Sequence, residues 1–268
     1  SLTMKLIAID MDGTLLNNNN QISNLTKKYL IKLASQGHKI IISSGRPIRG
    51  IISYYKELKL DTPIICYNGA YIYPGKENIE EYCFSFSYKL IKQIIKDITY
   101  EYIDNIILET NDDIYLLRED KTLEPYFSTQ GMNIHIGLIE NNLFQDTMTM
   151  LIKVKDPKYN PIIEQSINKY DNIKLRFWSG EWLKISEIYH INTNKGKALE
   201  KIAEFYNIDK EHIIAFGDAN NDIELLKYAG ISVAMKNGED KIKEIAKFIS
   251  LQDNNNDGIK LTLEKIIK

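Results

Sequence analysis

The chain has 268 residues, with 34 Lys and Arg against 36 Asp and Glu, and its formal net charge is −2. Because basic and acidic side chains nearly cancel, bulk charge does not make this protein a nucleic-acid binder, and we expect no nucleic-acid partner. A hydrophobic share of 44% with 26% charged residues excludes a chain that is disordered or coiled-coil throughout. Two cysteines, Cys66 and Cys83, are too few for a disulfide framework or a zinc site.

The sequence gives no sign of a membrane or secretory segment. None of its windows approaches the ~20 consecutive apolar residues that cross a bilayer. The first residues lack the charged segment and apolar stretch of a signal peptide. We therefore expect a cytoplasmic protein with no membrane partner.

Short apolar runs alternate with helical patterns at both ends of the chain. The first part predicts strands over 5–9, 39–42 and 64–67, and helices over 21–37 and 48–58. The last part predicts helices over 195–206, 222–228 and 240–246, and strands over 213–216, 231–234 and 247–249. Such alternation indicates βαβ units, so we expect an α/β fold with a doubly wound, mainly parallel, Rossmann-like core.

The middle of the chain has a different pattern. It predicts helices over 87–102 and 161–170, and extended segments over 106–109, 114–118, 133–138, 148–154, 174–177 and 182–188. Strand-rich runs with few helices indicate a separate α+β domain inserted into the α/β one. We expect a discontinuous core domain of residues 1–83 and 191–268 and an inserted domain of residues 84–190.

Two carboxylates follow the first predicted strand, in the run Asp10-Met11-Asp12-Gly13-Thr14. In open α/β sheets, ligands bind beyond the carboxyl ends of the strands. Asp10 could attack phosphorus as a nucleophile. Asp12 could donate a proton to the leaving oxygen and later activate water. A solvated Asp-rich turn is the alternative interpretation.

Two further sets of residues could bind an anion. Ser44, Gly45 and Arg46 follow the second strand, where hydroxyl and backbone N–H groups can bind a phosphate, although small residues here can simply cap a helix. Lys195 starts a predicted helix, where a cation conflicts with the helix dipole. A bound phosphate would explain that conflict, and a surface lysine is the alternative.

Acidic and amide side chains crowd the turn after the strand at 213–216. Asp218, Asn221 and Asp222 offer the oxygen ligands that Mg²⁺ prefers, and an Asx-rich helix cap is the alternative. The segment 253–264 matches the calcium-loop pattern D-x-N-x-D-G-x₅-E. A strand precedes it instead of the entering helix of such a loop, so we interpret it as a polar turn before a last helix.

The four groups in this order, DMDGT, SSGR, a lysine before a helix and GDANND, resemble the four motifs of the haloacid dehalogenase-like hydrolase superfamily. Asn68-Gly69-Ala70, Val233-Ala234-Met235 with Asn237, and Asp257-Gly258 resemble its Cof-type branch, which carries a class II α/β cap between the second and third motifs. The inserted domain falls at that place. Ser44 stands where threonine is usual, and Gly238 where alanine is usual.

The resemblance implies a role for each motif residue. Asp10 resembles the nucleophile and Asp12 the general acid and base. Ser44 and Gly45 would hold the transferring phosphoryl group, and Lys195 would neutralise it. Asp218 would bind Mg²⁺ with the Asp10 carboxylate and the Asp12 backbone carbonyl. The resemblance also makes Asp222 a carboxylate beside the metal, and makes Asn221, Arg46 and Asn68 phosphate or substrate contacts.

We therefore expect a Mg²⁺-dependent phosphatase of small phosphorylated metabolites, either sugar phosphates or a phosphorylated cofactor, that works through an aspartyl-phosphate. A sugar phosphomutase with the same chemistry is the alternative enzyme, and a non-catalytic binding protein on this fold is the alternative of another class. We expect the inserted domain to choose the substrate. Its candidate contacts are Arg176, Phe177, Trp178, Trp182 and Glu187.

Overall fold

The computed structural model describes residues 3–124 and 126–267. Residues 1, 2 and 268 of the predicted core domain, and residue 125 of the predicted inserted domain, lie outside this description. Contacts between Cα atoms divide the chain into two compact units. Unit 1 comprises Ser1–Tyr82 and Asn194–Lys268, and unit 2 comprises Cys83–Thr193.

The first part of unit 1 alternates strands with helices. Its elements are β1 (Leu6–Asp10), α1 (Asn24–Ser35), β2 (Lys39–Ser43), α2 (Ile52–Glu57), β3 (Ile64–Cys66) and β4 (Tyr71–Tyr73), and β5 (Tyr82–Cys83) lies at the boundary with unit 2. Helix α1 begins after Ser23, whose side chain accepts a hydrogen bond from the backbone N–H of Thr26. The predicted helix over 48–58 is shorter than expected, because Ile48–Gly50 forms a separate 3₁₀ turn.

The described residues of unit 2 form three α-helices and six strands. They are α3 (Tyr88–Ile98), β6 (Ile103–Glu109), β7 (Asp113–Leu116), β8 (Asn133–Ile136), α4 (Ile139–Asn142), β9 (Met150–Val154), α5 (Asn160–Ile167), β10 (Ile173–Phe177) and β11 (Ile185–His190). The strands form one sheet in the order β10-β11-β9-β6-β7-β8, which is antiparallel except for β7 and β8. This unit is therefore α+β in character.

The chain then completes unit 1 with α6 (Lys195–Tyr206), β12 (Ile213–Gly217), α7 (Ile223–Tyr228), β13 (Ile231–Ala234), α8 (Asp240–Ile245), β14 (Phe248–Ile249) and α9 (Gly258–Ile266). The sheet order is β14-β13-β12-β1-β2-β3-β4-β5. Its strands run parallel from β14 to β3, and β4 is antiparallel to β3. The predicted α/β fold with a mainly parallel sheet is confirmed.

The centre of this sheet is wholly buried. All five residues of β1 are buried, which is typical of a strand in a parallel sheet covered on both faces. Leu6 and Ala8 of β1 share a core cluster with Leu199 and Ile202 of α6 and with Leu225 of α7. The apolar packing thus fixes α6 and α7 against the sheet, and it places the N-terminus of α6 beside the strand ends.

Two predicted elements of unit 2 end earlier or begin later than the pattern suggests. The helix predicted over 87–102 stops at residue 98, because Thr99 has a φ of 72° and turns the chain out of the helix. The strand predicted over 182–188 begins at residue 185, since residues 180–182 form a 3₁₀ turn. Strands β4 and β5 and helix α4 have too few residues for periodicity to predict them. Within the described residues, no helix is long and apolar enough to cross a membrane.

Candidate active site

The predicted strand-end groups meet at one edge of the sheet in unit 1. Strand β1 lies between β12 and β2, and Asp10 pairs in register with Ser43. The turns after β1, β2 and β12 therefore open side by side. They carry Asp10 and Asp12, then Ser44 and Gly45, then Asp218.

Lys195 lies fully buried between two carboxylates. Its Nζ donates to Asp10 Oδ1 at 2.7 Å and to Asp222 Oδ1 at 2.7 Å. Its helix begins after Asn194, whose side chain accepts from the backbone N–H of Lys197 at 2.8 Å. The conflict between a lysine and the helix N-terminus is thus offset by two anionic partners, which spacing alone did not indicate.

Burial and mutual repulsion perturb the carboxyl groups. Burial, followed by the charge of Asp222, raises the pKa of Asp10 to about 6, although Lys195 opposes this change. Burial also raises the pKa of Asp218 well above its usual value, and the neighbouring Asp10 adds to that rise. Burial by itself would lower the pKa of Lys195, but the charges of Asp10 and Asp222 outweigh it and raise that pKa. For Asp10 and Asp218, burial together with the neighbouring carboxylates therefore outweighs the opposing effect of the Lys195 ammonium on the pKa.

The same carboxylates are suited to a cation. Ligand oxygens of Asp10, Asp218 and Asp222 lie within 4.8 Å of one another. Asp222 is fully buried, and its Oδ2 accepts from the backbone N–H groups of Asp218 at 3.0 Å and Ala219 at 3.3 Å. Asp222 thus accepts hydrogen bonds on both oxygens and is more deeply buried than Asp10, which is 5% exposed, and than Asp218, which is partly exposed. Asp10 and Asp218 are therefore better placed to reach a metal.

Glycines allow these side chains to approach closely. A Cβ on Gly13 would lie 2.1 Å from Asp218 Oδ2, and Gly13 has a φ of 76°. The Gly13 carbonyl accepts a hydrogen bond from Asn237 Nδ2 at 2.8 Å. Only glycine fits this turn without displacing Asp218.

Thr14 is a site residue that the sequence reasoning missed. Its hydroxyl lies 3.1 Å from Asp10 Oδ2 and 3.4 Å from Asp218 Oδ1. Together with Lys195, it orients both oxygens of Asp10. The signal was available, because Thr14 ends the DMDGT run and follows Asp10 by four residues.

Asp12 lies apart from the other carboxylates. Its side chain is 42% exposed and pairs with the guanidinium of Arg46, whose side chain is 13% exposed. Arg46 Nε donates to Asp12 Oδ2 at 2.9 Å, and Arg46 Nη2 donates to Asp12 Oδ1 at 2.6 Å. Arg46 therefore contacts Asp12, the predicted general acid and base. The sequence predicted Arg46 only as a phosphate or substrate contact.

The turn after β2 is tied to the turn after β3. Ser44 is buried, its Oγ accepts from the backbone N–H of Arg46 at 2.9 Å, and its carbonyl accepts from the backbone N–H of Asn68 at 3.0 Å. Gly45 follows Ser44 in the same turn. These bonds hold the turn in one conformation, as a phosphate-binding turn requires.

Asn68 and Asn221 contact each other. Asn221 Nδ2 donates to Asn68 Oδ1 at 3.0 Å. Tyr67, Asn68 and Gly69 all have a positive φ, and a Cβ on Gly69 would lie 2.3 Å from the carbonyl oxygen of Asn194. This strained turn therefore abuts the start of α6 and fixes where Lys195 emerges.

The aspartates of segment 253–264, which matches the calcium-loop pattern, accept hydrogen bonds from other groups of the protein. Asp257 Oδ1 accepts from Thr26 Oγ1 at 2.7 Å and also from Ser23 Oγ. Asp253 Oδ1 accepts from the backbone N–H of Asn255 and from Asn256 Nδ2, both at 2.9 Å. The segment is a polar turn before α9, as its flanking pattern predicts.

Unit 2 brings together four of its predicted contact residues. Arg176 Nη1 lies 3.1 Å from Glu187 Oε1, which also accepts from Trp178 Nε1 at 3.1 Å. Trp178 and Trp182 pack against Phe127 in an aromatic cluster. The tryptophans are therefore part of the packing of unit 2. Phe177 lies on the same strand as Arg176, at the position paired with Ser186.

Comparison with known proteins gives consistent matches over most of the chain. The model of a family described as haloacid dehalogenase-like hydrolase matches residues 7–263. The 5-amino-6-(5-phospho-D-ribitylamino)uracil phosphatase YitU of Bacillus subtilis is 37% identical over 245 residues, or 90% of each chain. The pyridoxal phosphate phosphatase YbhA of Escherichia coli is 27% identical over 275 residues, covering 96% of this chain and 97% of that one.

A solved structure shares the fold. It is a haloacid dehalogenase-like hydrolase from Bacteroides thetaiotaomicron, with a TM-score of 0.81 and 25% identity. The match covers 98% of this chain and 100% of that one. Both units of the chain therefore have counterparts in that structure.

Proposed function

The chain belongs to the haloacid dehalogenase-like hydrolase family and is a phosphatase of small phosphorylated metabolites, and we propose that Asp10 is its nucleophile. The observation that carries this proposal is the Lys195 ammonium, buried 2.7 Å from both Asp10 and Asp222. It holds Asp10 in place at the strand end. It also supplies a fixed positive charge where a phosphoryl group would arrive.

In the first step, a carboxylate oxygen of Asp10 attacks the phosphorus of the substrate. An O–P bond to Asp10 forms, and the bond between phosphorus and the ester oxygen breaks. Asp12 gives its proton to that departing oxygen, so the product leaves as a neutral alcohol. Ser44 and the backbone of Gly45 hold the phosphoryl oxygens during the transfer.

In the second step, water takes the place that the alcohol has left. Asp12, now a carboxylate, removes a proton from this water, and the water oxygen bonds to phosphorus. The O–P bond to Asp10 breaks, which restores the Asp10 carboxylate and releases inorganic phosphate. Asp12 has then regained its proton, and the cycle is complete.

The acidic cluster fits a divalent cation of the Mg²⁺ type. Asp10 and Asp218 carry oxygen donors, and in the cluster of three carboxylates one ammonium pairs with Asp10 and Asp222. We propose that Asp10, Asp218 and the backbone carbonyl of Asp12 would hold the ion, with Asp222 orienting Lys195 and the Asp218 turn. A bound Mg²⁺ supplies charge neutralisation of the phosphate, so that an anionic nucleophile can approach.

We further propose that unit 2 acts as a cap that selects the substrate. The groups at the strand ends of unit 1 address the phosphate, which every candidate substrate shares. Selection must therefore depend on residues that address the rest of the molecule. Arg176, Trp178 and Glu187 join charged, aromatic and hydrogen-bonding groups in one place, as recognition of a polar ring or sugar requires.

A phosphate-release screen tests the proposed function. Purified protein is incubated with phosphorylated sugars and cofactors, including 5-amino-6-(5-phospho-D-ribitylamino)uracil and pyridoxal phosphate, with Mg²⁺ or with excess chelator. We expect Mg²⁺-dependent phosphate release that Asp10→Asn abolishes while circular dichroism shows that the variant is folded. Turnover in excess chelator would contradict the metal requirement. Transfer to a second hydroxyl that needs a bisphosphate activator would instead identify a mutase.

Selection by unit 2 is tested in the full chain with Glu187→Gln. We expect this variant to lower kcat/KM for the best substrate and to spare 4-nitrophenyl phosphate. Glu187→Gln changes the contacts of this side chain to both Arg176 and Trp178. If the ranking of substrates stayed the same in this variant, specificity would depend on other residues.

A further inference from the structure

Asp12 is held by a fork of two hydrogen bonds from one side chain. Arg46 Nε and Nη2 donate to the two different oxygens of the Asp12 carboxylate, at 2.9 Å and 2.6 Å. A paired arrangement of this kind fixes the plane of a carboxylate as well as its position. The contact therefore restricts a side chain that would otherwise rotate freely at an exposed edge.

Arg46 itself is anchored by unit 1. Its Nη1 donates to the carbonyl oxygen of Gly50 at 3.2 Å, and its backbone N–H donates to Ser44 Oγ at 2.9 Å. The ring of Tyr54 lies with its centroid 5.9 Å from the guanidinium carbon. Since Arg46 is the more buried and more constrained partner, it supports Asp12 and not the reverse.

The proposed reaction requires the Asp12 carboxyl group to be held in place. Asp12 must carry a proton to the leaving oxygen, which a carboxylate coordinated to a metal ion could not do. The two hydrogen bonds from Arg46 use only two of its about four acceptor sites, so a proton can still bind. Asp10, Asp218 and Asp222 already form an acidic cluster beside the Asp12 turn. A freely rotating Asp12 side chain could join them and bind the metal with its carboxylate.

On the basis of the proposed function, we infer that Arg46 is a positioning residue for Asp12. It holds the carboxyl group away from the metal ligands and aims it at the leaving group. Arg46 then acts through Asp12 and not through the phosphoryl group of the substrate. Lysine cannot replace it fully, because an ammonium lacks the planar fork.

The dependence of rate on the leaving group tests this inference. We compare kcat/KM for phenyl, 4-nitrophenyl and 2,4-dinitrophenyl phosphate, because kcat/KM covers only the steps up to departure of the leaving group. Phenoxide needs a proton to leave, whereas dinitrophenoxide leaves readily without one. We expect Arg46→Gln to lower kcat/KM about a hundredfold for phenyl phosphate, within the range for losing a general acid. For dinitrophenyl phosphate, we expect a change of only about threefold, since little protonation is then lost.

A double-mutant comparison separates positioning from substrate binding. In an Asp12→Asn background, Arg46→Gln should add less than about a threefold loss, because residues that act as one unit are not additive. Arg46→Lys should fall between wild type and Arg46→Gln for phenyl phosphate. Arg49→Gln removes a nearby guanidinium whose Nη1 donates to the Tyr67 hydroxyl at 3.3 Å, and it should leave the leaving-group dependence unchanged.

Equal losses for all three esters in Arg46→Gln, or a full additional loss in the Asp12→Asn background, would overturn the inference and assign Arg46 to phosphoryl binding. Thermal unfolding of each variant checks that it is folded, and Arg46→Lys provides the test if Arg46→Gln is not. A wild-type protein that released phosphate from none of the esters or metabolites would overturn the proposed function and this inference with it. If the wild type turns over and Arg46→Gln loses the same factor for all three esters, only the inference about Arg46 is overturned.

Discussion

Replacing Lys195 by methionine should both destabilise unit 1 and abolish turnover. The ammonium is fully buried and hydrogen-bonded to Asp10 and Asp222, so its removal leaves two buried carboxylates without their cation. Breaking a buried ion pair on one side costs about 3–5 kcal/mol. At roughly 2–4 °C per kcal/mol for a unit of this size, the midpoint of thermal unfolding should fall by about 10 °C.

Replacing Asp222, the second carboxylate that binds Lys195, gives a sharper prediction. Adding Asp222→Asn to Lys195→Met removes one of the two unpaired charges, so the double variant should be more stable than the single one. Activity should not return, because the cation beside Asp10 is still absent. The second change should therefore raise stability without restoring activity.

The assay is thermal unfolding followed by circular dichroism in excess chelator, with phosphate release measured separately in Mg²⁺. Lys197→Met is the matched control, because Lys197 lies on the same helix with a side chain that is 54% exposed. A surface change of this kind should alter stability by less than about 0.5 kcal/mol. If Lys195→Met unfolded at the same temperature as Lys197→Met, the argument from buried charge would be refuted.

Three further predictions concern the acidic cluster. The Asp10 carboxyl keeps its proton up to a pKa of about 6 when folded but only to 3.8 when unfolded, so the stability of the metal-free protein should fall as pH rises between these values. The loss should be about 3 kcal/mol, and a flat profile in denaturant titrations across this range would contradict it. Gly13→Ala should weaken Mg²⁺ binding in calorimetry, because its Cβ would displace Asp218, whereas Gly37→Ala should not, since nothing among the described residues lies within 4 Å of that Cβ. Ca²⁺ should inhibit the Mg²⁺-supported reaction, because it takes 6–8 ligands at longer distances, and equal rates with either ion would contradict this.

The sequence was sufficient to predict the fold because residues 6–9 of β1 and 213–216 of β12 are apolar and alternate with amphipathic helices. Parallel strands end at one edge, so Asp10 and Asp218 could be placed together although their positions in the sequence differ by 208. Short elements escaped prediction, since β4 has three residues and β5 two. The break at Gly50 also interrupts a continuous helical pattern that periodicity cannot resolve.

The hydrogen-bond and ion-pair partners of the site side chains could not be predicted from the sequence. The pairing of Arg46 with Asp12 depends on rotamers and on the carbonyl of Gly50, neither of which spacing reports. The same holds for Lys195, whose two carboxylate partners come from distant segments of the chain. The catalytic, phosphate-binding and metal-binding roles of the site residues stay predictions.

The central claim is that phosphate passes through Asp10, and trapping the phosphorylated protein tests it most directly. The Asp12→Asn variant is mixed with 2,4-dinitrophenyl phosphate and Mg²⁺, because this leaving group departs without a proton while water activation fails. After an acid quench, mass spectrometry of the intact chain and its peptides should show one phosphoryl group, located on Asp10 and missing from an Asp10→Asn, Asp12→Asn double variant. A wild-type enzyme that turns over, together with an Asp12→Asn variant that carries no phosphoryl group or carries it on another residue, would contradict the account.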